Sequence, residues 1–237
     1  MPHSYLVTGG TGFVGQQVVQ DLIEGGKRVV CMCRHGRLLP SAWEGLSVGR
    51  VEADFADPAS LLAAVTEAKC EVIIHLAARY AWWALDSSEF QRENVTAVEN
   101  MLLACKGTGI KLVHVSTVLA YGRPPGRGLT TETAFDEETE QGPALSQYAA
   151  TKAAGDAHVL AAMRAGSVEG CIVYLACCIG RDHKLLDPNK DVMRLKDLIS
   201  GNIPATISSD AVFTYVYVKD AAQAIVRAAE KKGNEGM

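Results

Sequence analysis

Short apolar runs alternate with longer amphipathic segments through the first three quarters of the chain. A short apolar run bounded by polar or glycine-rich residues predicts a buried strand. Because these runs carry few polar positions, they are typical of parallel strands that are covered on both faces. We therefore predict an α/β fold built on a doubly wound parallel sheet, a Rossmann fold. The predicted core strands are residues 5–7, 28–33, 48–53, 72–77, 110–116 and 171–176.

Between the strands, apolar positions repeat with helical spacing. Asp57 and Pro58 predict a helix start, because Asp is a favoured N-cap and Pro is tolerated at the first helical position. Longer helices are predicted over residues 87–106 and 146–165. After Gly180 the pattern loosens. There we expect a helix within 187–200, a strand over 213–218 and a helix over 220–232.

Composition and charge exclude several classes of protein. The chain has 237 residues and a net charge of -4, which argues against a nucleic-acid or anionic-membrane surface. No apolar run approaches the ~18 residues of a membrane span. The first strand begins too early, and without basic residues before it, for a secretory signal. We expect a cytoplasmic protein, or an organellar one if a transit peptide has been removed.

Cysteine and histidine patterns do not predict a metal site. The seven cysteines are an odd number, lie in strand-like surroundings and form no Cys-x-x-Cys pair, which favours reduced core thiols. His75 and His114 lie inside apolar runs, so we expect them in the core rather than as ligands. The acidic segment 132–140 is interpreted as a solvated face.

The strongest chemical signal lies directly after the first strand. Gly9, Gly12 and Gly15 precede an amphipathic helix, which is the spacing of a dinucleotide-binding turn. Gly9 would form the tight turn, Gly12 would let the backbone approach a pyrophosphate, and Gly15 would let the helix pack on the strand. The amides that open the helix would face the phosphates. The other turn residues assigned to the cofactor are Thr11, Phe13 and Val14.

A second constellation places Tyr148 and Lys152 one turn apart on a predicted helix. A cation about 4 Å from a phenolate stabilises it by roughly 4 kcal/mol at an effective dielectric near 20, which lowers the pKa of the phenol by about three units. Lys152 is therefore expected to lower the pKa of Tyr148 towards neutrality and make it a usable proton donor. By itself the pair also fits a surface tyrosine and lysine. Ser116 and Thr117 end the fifth strand, where they either bind a substrate oxygen or cap the strand locally.

Taken together, these motifs resemble the extended short-chain dehydrogenase/reductases of the NAD-dependent epimerase/dehydratase family. The matching segments, in order, are residues 8–15, Asp54, residues 75–78, Asn94-Val95, Ser116-Thr117, Tyr121-Gly122 and Tyr148 with Lys152. They cover essentially the whole chain. Residues 78–83, 180–182 and 216–222 resemble the dihydroflavonol-4-reductase-type branch most.

The resemblance implies a role for each matching residue. Thr117, Tyr148 and Lys152 would be catalytic, with Ser116 a neighbouring candidate that also borders the cofactor. Arg34 stands where NAD-dependent relatives carry an acid, and a guanidinium suits a 2′-phosphate, so we favour NADP over NAD. The adenine would contact Asp54 and Phe55. The remaining cofactor contacts implied are Leu76, Ala77, Ala78, Tyr148 and Lys152.

The implied reaction is hydride transfer between nicotinamide and a carbonyl, with Tyr148 as acid. Two alternatives stay open: a nucleotide-sugar epimerase that retains NAD, and a non-catalytic dinucleotide-binding scaffold. Dehydration is disfavoured because Val118 and Leu119 replace the Asp-Glu pair of dehydratases. The partners expected are a small-molecule substrate and a second copy of the chain, paired through the two long helices.

Two departures from the family pattern affect the substrate side. Tyr174 and Leu175 stand where relatives carry Arg-Pro or Asn-Pro, and the chain ends before the usual substrate-binding part is complete. We expect a dinucleotide-binding domain over residues 1–180 and a partial substrate-binding region over 181–237, with 213–232 returning to the core. Tyr80, Trp82 and Trp83 either line an apolar substrate site or pack at a helix start.

Overall fold

The computed structural model describes residues 3–81, 84–124, 136–180, 199–202 and 214–231. A central sheet of six parallel strands has the spatial order β3-β2-β1-β4-β5-β6. The strand order reverses between β1 and β4, as in doubly wound nucleotide-binding sheets, and this confirms the predicted fold class. The strands are β1 (Ser4–Thr8), β2 (Arg28–Cys33), β3 (Val48–Glu52), β4 (Val72–His75), β5 (Lys111–Thr117) and β6 (Glu169–Leu175).

Helices cover both faces of the sheet. The predicted helix over 87–106 is helical from Ser88 to Cys105 and contains a widened π turn at Arg92–Thr96. A Cβ on Gly155 would lie 2.7 Å from the carbonyl oxygen of Asn94, so this turn packs very closely against a neighbouring helix. The α-helices are α1 (Phe13–Glu24), α2 (Pro58–Ala68), α3 (Ser88–Gln91), α4 (Ala97–Cys105), α5 (Gln147–Arg164) and α6 (Val218–Glu230). Short 3-10 turns at Ser41–Trp43 and Val118–Tyr121 were not anticipated.

Side chains that point alternately to the two faces of the sheet divide the core into two layers. Tyr5 and Val7 of β1 pack in the layer that contains residues of α1 and α6. Leu6, between them, packs in the opposite layer with residues of α2 and α4. Successive strand side chains point to opposite faces, so a fully apolar strand is required wherever both faces are covered.

Two strands end earlier than their apolar runs do. The run 72–77 leaves the sheet after His75, because the Ala77 amide donates to the Thr8 hydroxyl oxygen (3.1 Å). The apolar run 171–179 is divided between two sheets. Its second part, β7 (Cys177–Ile179), pairs in parallel with β8 (Tyr215–Tyr217) rather than extending β6.

The C-terminal helix belongs to the main core. Ala222, Ile225 and Ala229 of α6 pack in the same layer as Val18 and Leu22 of α1. The Lys111 ammonium donates to the Ala228 carbonyl (2.7 Å) and to the Lys231 carbonyl near the end of α6. The helix expected within 187–200 lies almost wholly outside the described residues, and the division into two domains stays a prediction.

Two histidines and five cysteines are buried in the core. His75 and His114 are both buried, as predicted. In the described part of the chain, no three His, Cys, Asp or Glu side chains cluster as metal ligands would. No helix there combines the length and apolar character needed to cross a membrane. The buried thiols are Cys31, Cys33, Cys70, Cys105 and Cys171.

Candidate active site

The glycine turn after β1 is tightly packed against β4. Gly9 has a φ of +66°, and a Cβ there would lie 2.8 Å from the Ala77 nitrogen. A Cβ on Gly15 would overlap the Gly9 carbonyl oxygen, so only glycine lets α1 approach the turn this closely. A Cβ on Gly12 would meet only that same oxygen, at 3.1 Å, and its outer side is open. These environments agree with the roles proposed for the three glycines.

The N-terminus of α1 fits an anion. Gly12 is the N-cap, no side chain caps the helix, and the first turn holds no acidic residue. The first amides of a helix, here those of Phe13, Val14 and Gly15, have no intrahelical acceptor, and the helix dipole favours negative charge. The Thr11 carbonyl accepts a hydrogen bond from the Gln16 side chain (3.1 Å), which orders the turn. A pyrophosphate therefore fits this turn.

The residues assigned to the adenosine side lie after β2 and β3. Arg34 directly follows β2, and its side chain is 76% exposed, with one guanidinium nitrogen 3.9 Å from the Glu93 carboxylate. Asp54 is exposed and accepts a hydrogen bond from the Ala56 amide (2.9 Å), which forms a local turn. The Phe55 carbonyl accepts a hydrogen bond from Asn100 (3.0 Å). The cofactor contacts of these three residues stay predictions.

The segment after β4 is held by Thr8. The Thr8 hydroxyl oxygen accepts from the amides of Leu76 and Ala77, each at 3.1 Å. Its proton is thus left to donate to Nδ1 of His75 (2.8 Å), so a neutral His75 carries its proton on Nε2. Burial, with the charges of His114 and Lys152, holds the pKa of His75 well below its ordinary value. Leu76, Ala77 and Ala78 are half-buried beside the glycine turn.

Ser116 and Thr117 differ in how their hydroxyls are used. The buried Ser116 hydroxyl donates to the Asp156 carboxylate (2.7 Å). Its proton is therefore committed within the protein, which weakens Ser116 as a catalytic hydroxyl. Thr117, the last residue of β5, accepts from the Leu119 amide at 3.3 Å and keeps its own proton for another acceptor. Thr117 is the stronger candidate for orienting a substrate oxygen.

Tyr148 and Lys152 lie in the first turns of α5, whose N-cap Ser146 accepts from the Ala149 amide (3.1 Å). The Tyr148 ring packs edge-on against Tyr80, with centroids 5.2 Å apart. The Lys152 ammonium is buried and donates to the Val115 carbonyl (3.0 Å). The helix thus places a phenol and an ammonium on the side of α5 that faces the end of β5.

The expected lowering of the Tyr148 pKa is wrong for the polypeptide itself. Burial raises the pKa of Tyr148 above its ordinary value, and the charges of Asp156 and Cys178 add to the effect. Burial also lowers the pKa of Lys152 from 10.5 to about 8, and Asp156 partly opposes this. The sequence estimate treated the ammonium as fully charged and left out the cost of burying both groups, which is the larger effect here.

Asn94, in the π turn, connects the loop after β4 to α5. Its side chain accepts from the Arg79 amide (2.7 Å) and donates to the Arg79 carbonyl (3.3 Å) and the Thr151 hydroxyl (3.1 Å). Thr151 directly precedes Lys152. The sequence indicated Asn94 only as part of the family resemblance and gave it no role. A polar side chain on an otherwise apolar helix face was the signal for this buried contact.

The substrate side is described only in part. Tyr80 lies against Tyr148, and Tyr121 packs against Tyr174 of β6, with ring centroids 5.0 Å apart. Aromatic side chains therefore pack against Tyr148 and against β6, the strand that neighbours β5. Trp82 and Trp83, also expected at this site, lie outside the described residues.

One family of known proteins matches the chain over nearly its whole length. The model described as "NAD dependent epimerase/dehydratase family" matches residues 5–236. The chain belongs to this family. The match confirms the resemblance to the extended short-chain dehydrogenase/reductases. The family description names NAD as the cofactor, and the glycine turn of this chain lies where the strand order reverses, which is where doubly wound sheets bind their ligands.

Two curated relatives carry the same reductase name. The 2-alkyl-3-oxoalkanoate reductase of Stenotrophomonas maltophilia (strain K279a) is 37% identical over 161 residues, 66% of this chain and 46% of that protein. The 2-alkyl-3-oxoalkanoate reductase of Shewanella oneidensis is 28% identical over 228 residues, 94% of this chain and 56% of that protein. The chain therefore spans about half the length of these curated relatives.

A solved structure of similar fold is the UDP-glucose 4-epimerase of Thermus thermophilus in complex with NAD. It superimposes with a TM-score of 0.77 at 24% identity, over 97% of this chain and 75% of that one. This likeness supports the architecture described above.

Proposed function

We propose that this chain is the catalytic part of an NADP-dependent oxidoreductase that reduces a carbonyl group, or oxidises the matching alcohol, in a small organic molecule. One observation carries the proposal. Lys152 donates to the Val115 carbonyl, two residues before Thr117, and this bond ties the helix that carries Tyr148 to the strand that ends in Thr117. In the proposal, Tyr148 is the proton donor and Thr117 the orienting hydroxyl, at the carboxyl edge of the sheet that also carries the glycine turn.

Each site residue has a distinct task in this proposal. The bound cofactor supplies or accepts the hydride. The Thr117 hydroxyl donates to the substrate oxygen and orients it. Tyr148 transfers a proton to that oxygen, and the Lys152 ammonium stabilises the phenolate that results. Because burial raises the pKa of Tyr148, the nearby positive charge is needed for the phenol to release its proton near neutral pH.

Preference for NADP rests on Arg34. Its guanidinium is exposed directly after β2, and its ion pair with Glu93 is long, at 3.9 Å, and solvent-screened. It can therefore turn towards a phosphate group at little cost. A guanidinium forms charge-assisted, two-point hydrogen bonds with phosphate, whereas it has less to gain from a neutral ribose hydroxyl.

The relatives' names support reduction and suggest a first substrate class. Both matched reductases are named for a 2-alkyl-3-oxoalkanoate, a 3-oxoacid with an apolar chain. The aromatic pairs Tyr80–Tyr148 and Tyr121–Tyr174 provide apolar surface suited to such a chain. We propose 3-oxoacids with an alkyl branch as the first substrates to test.

The test compares cofactors. Nicotinamide fluorescence is titrated with NADPH and with NADH for the wild type, for Arg34→Ala, and for Arg164→Ala as a control for losing an exposed arginine elsewhere. We expect NADPH to bind about tenfold or more tightly than NADH, and Arg34→Ala alone to abolish the difference.

Tighter NADH binding with copurified NAD would instead favour a retained-NAD epimerase. Binding without turnover of any carbonyl compound would favour a non-catalytic scaffold.

A further inference from the structure

Three consecutive residues of β5 bond to one face of α5. The side chains of His114 and Ser116 point to that face, and both reach the Asp156 carboxylate, at 3.1 Å from His114 Nε2 and 2.7 Å from Ser116 Oγ. The carbonyl of Val115, between them, accepts from the Lys152 ammonium at 3.0 Å. Lys152 and Asp156 are one helical turn apart, so together they join α5 to the three residues that precede Thr117.

Asp156 is a buried carboxylate whose two oxygens are both used. Its exposed fraction is 0%. One oxygen accepts from the Ser116 hydroxyl, and the other accepts from Nε2 of His114, because an ionised carboxylate is an acceptor only. Burying an unpaired carboxylate is costly, so a nearby cation is expected to balance its charge. Lys152 is that cation, four residues earlier on the same helix face.

The titratable groups around Lys152 and Tyr148 come from four elements. His75 of β4 and His114 of β5 interact with its charge, and burial lowers the pKa of both, so they face it as neutral rings. Tyr148 of α5 and Cys178 of β7 lie close to each other, and burial raises the pKa of both, so they are protonated at neutral pH. Among the groups around Lys152, Asp156 is the carboxylate, and it accepts hydrogen bonds from His114 and Ser116.

We propose that Asp156 is a positioning residue: bonded to His114 and Ser116, it holds α5 against β5 and keeps the Lys152 ammonium charged beside Tyr148. The inference rests on the proposed function for its catalytic meaning. The physical linkage between Asp156 and Lys152 is a property of the polypeptide. It can therefore be measured without cofactor or substrate.

The test is a double-mutant cycle repeated across pH. Urea unfolding is measured for the wild type, Asp156→Asn, Lys152→Met and the double variant between pH 6.5 and 9.5. Asp156→Asn keeps the shape of the side chain and removes its charge. While Lys152 is charged, we expect a coupling of about tenfold or more in the folding equilibrium constant. The coupling should decline as the pH rises through about 8, the pKa of Lys152.

A matched cycle separates charge from hydrogen bonding. Ser116→Ala removes a hydrogen bond to Asp156 but keeps the carboxylate, so its coupling to Lys152→Met should not change with pH. A coupling for Asp156→Asn that is absent, or equal at every pH, would overturn the proposal. If Asp156→Asn does not fold, NMR of the wild type labelled with ¹³C-aspartate replaces the cycle. The chemical shift of the Asp156 carboxyl carbon should change as Lys152 loses its proton, and Lys152→Met should abolish that change. A chemical shift that does not depend on Lys152 would overturn the proposal.

The pH dependence of turnover tests whether Asp156 affects catalysis through Lys152. We expect Asp156→Asn to move the alkaline limb of the pH–rate profile to lower pH by about one unit, while Ser116→Ala leaves it in place. A lower rate in Asp156→Asn with an unmoved limb would make the residue merely structural and overturn the positioning role. Intact coupling in a protein that binds no nicotinamide cofactor would reject the proposed function and leave the Asp156–Lys152 linkage standing.

Discussion

The Thr8 hydroxyl lies 2.8 Å from Nδ1 of His75 and bonds the end of β1 to the end of β4. The same oxygen accepts the amides of Leu76 and Ala77, so one side chain satisfies three partners next to the glycine turn. The Leu76 amide also donates to the Thr8 carbonyl (3.3 Å), whereas the Ala77 amide relies on the hydroxyl. The relationship fixes the segment that runs past Gly9.

Replacing Thr8 by Val should therefore cost stability and loosen the cofactor site. The substitution keeps the shape but leaves the Ala77 amide and His75 Nδ1 without the hydroxyl that they bond, while the Leu76 amide keeps the Thr8 carbonyl. Each buried group left unsatisfied costs about 1–3 kcal/mol. Urea unfolding and NADPH titration measure both effects. Thr8→Ser, which keeps the hydroxyl, should recover most of the loss. Equal behaviour of the Val and Ser variants would contradict the role of the hydroxyl.

Acid should destabilise the protein through His75. The folded-state pKa of His75 lies well below its unfolded value, so the stability it contributes is present above about pH 6.5 and is lost as the pH falls below that value. Each such histidine gives a slope of up to about 1.4 kcal/mol per pH unit. Unfolding free energies between pH 5 and 8 should show a shallower slope for His75→Asn, which keeps an acceptor but does not titrate. Parallel slopes for the variant and the wild type would refute this.

The effect of the close packing of Gly9 against Ala77 can be separated from the effect of its left-handed backbone conformation. Gly9 and Gly36 have nearly the same φ, +66° and +71°, but a Cβ on Gly36 would meet nothing within 4 Å. Gly36→Ala should cost only the left-handed strain, about 1–2 kcal/mol. Gly9→Ala should cost more and abolish NADPH binding, because its Cβ meets the backbone of Ala77. Similar unfolding midpoints for the two variants would show that packing at Gly9 is unimportant.

A homodimer through α4 and α5 stays a prediction of the sequence. Leu103 on α4 is 61% exposed, which is unusual for a leucine and leaves apolar surface on the predicted contact. Leu103→Asp should convert a dimer to a monomer in size-exclusion chromatography with light scattering. The matched change Leu62→Asp, at an exposed leucine of α2, should leave the oligomeric state unchanged. A monomeric wild type would reject the predicted contact.

The sequence predicted those features that depend on local pattern. Apolar runs identified the strands of the main sheet that are covered on both faces, whereas the edge strand β3, with exposed Gly49 and Arg50, gave a weaker pattern that was still sufficient. Strand ends were less accurate, since the end of β4 depends on Thr8, which lies 67 residues from His75. The division of the run 171–179 between two sheets was also missed, because β7 pairs with a strand much later in the chain.

The sequence indicated which residues form the candidate site, but it did not reveal their electrostatics. Spacing brought out Tyr148 and Lys152, but their pKa values depend on burial, which a sequence spacing does not reveal. Asp156 was overlooked although it lies four residues after Lys152 and therefore on the same helix face. Its partners His114 and Ser116 come from the fifth strand, and only the packing of α5 on β5 brings the three together.

The most direct measurement of the central claim is steady-state turnover of Tyr148→Phe beside its cofactor affinity. The change removes one hydroxyl and keeps the ring against Tyr80. We predict that NADPH-dependent reduction of a 2-alkyl-3-oxoacid falls by about 10²–10⁴-fold while the Kd for NADPH changes less than about twofold. Turnover equal to that of the wild type would contradict the account, because Tyr148 would then not be the acid.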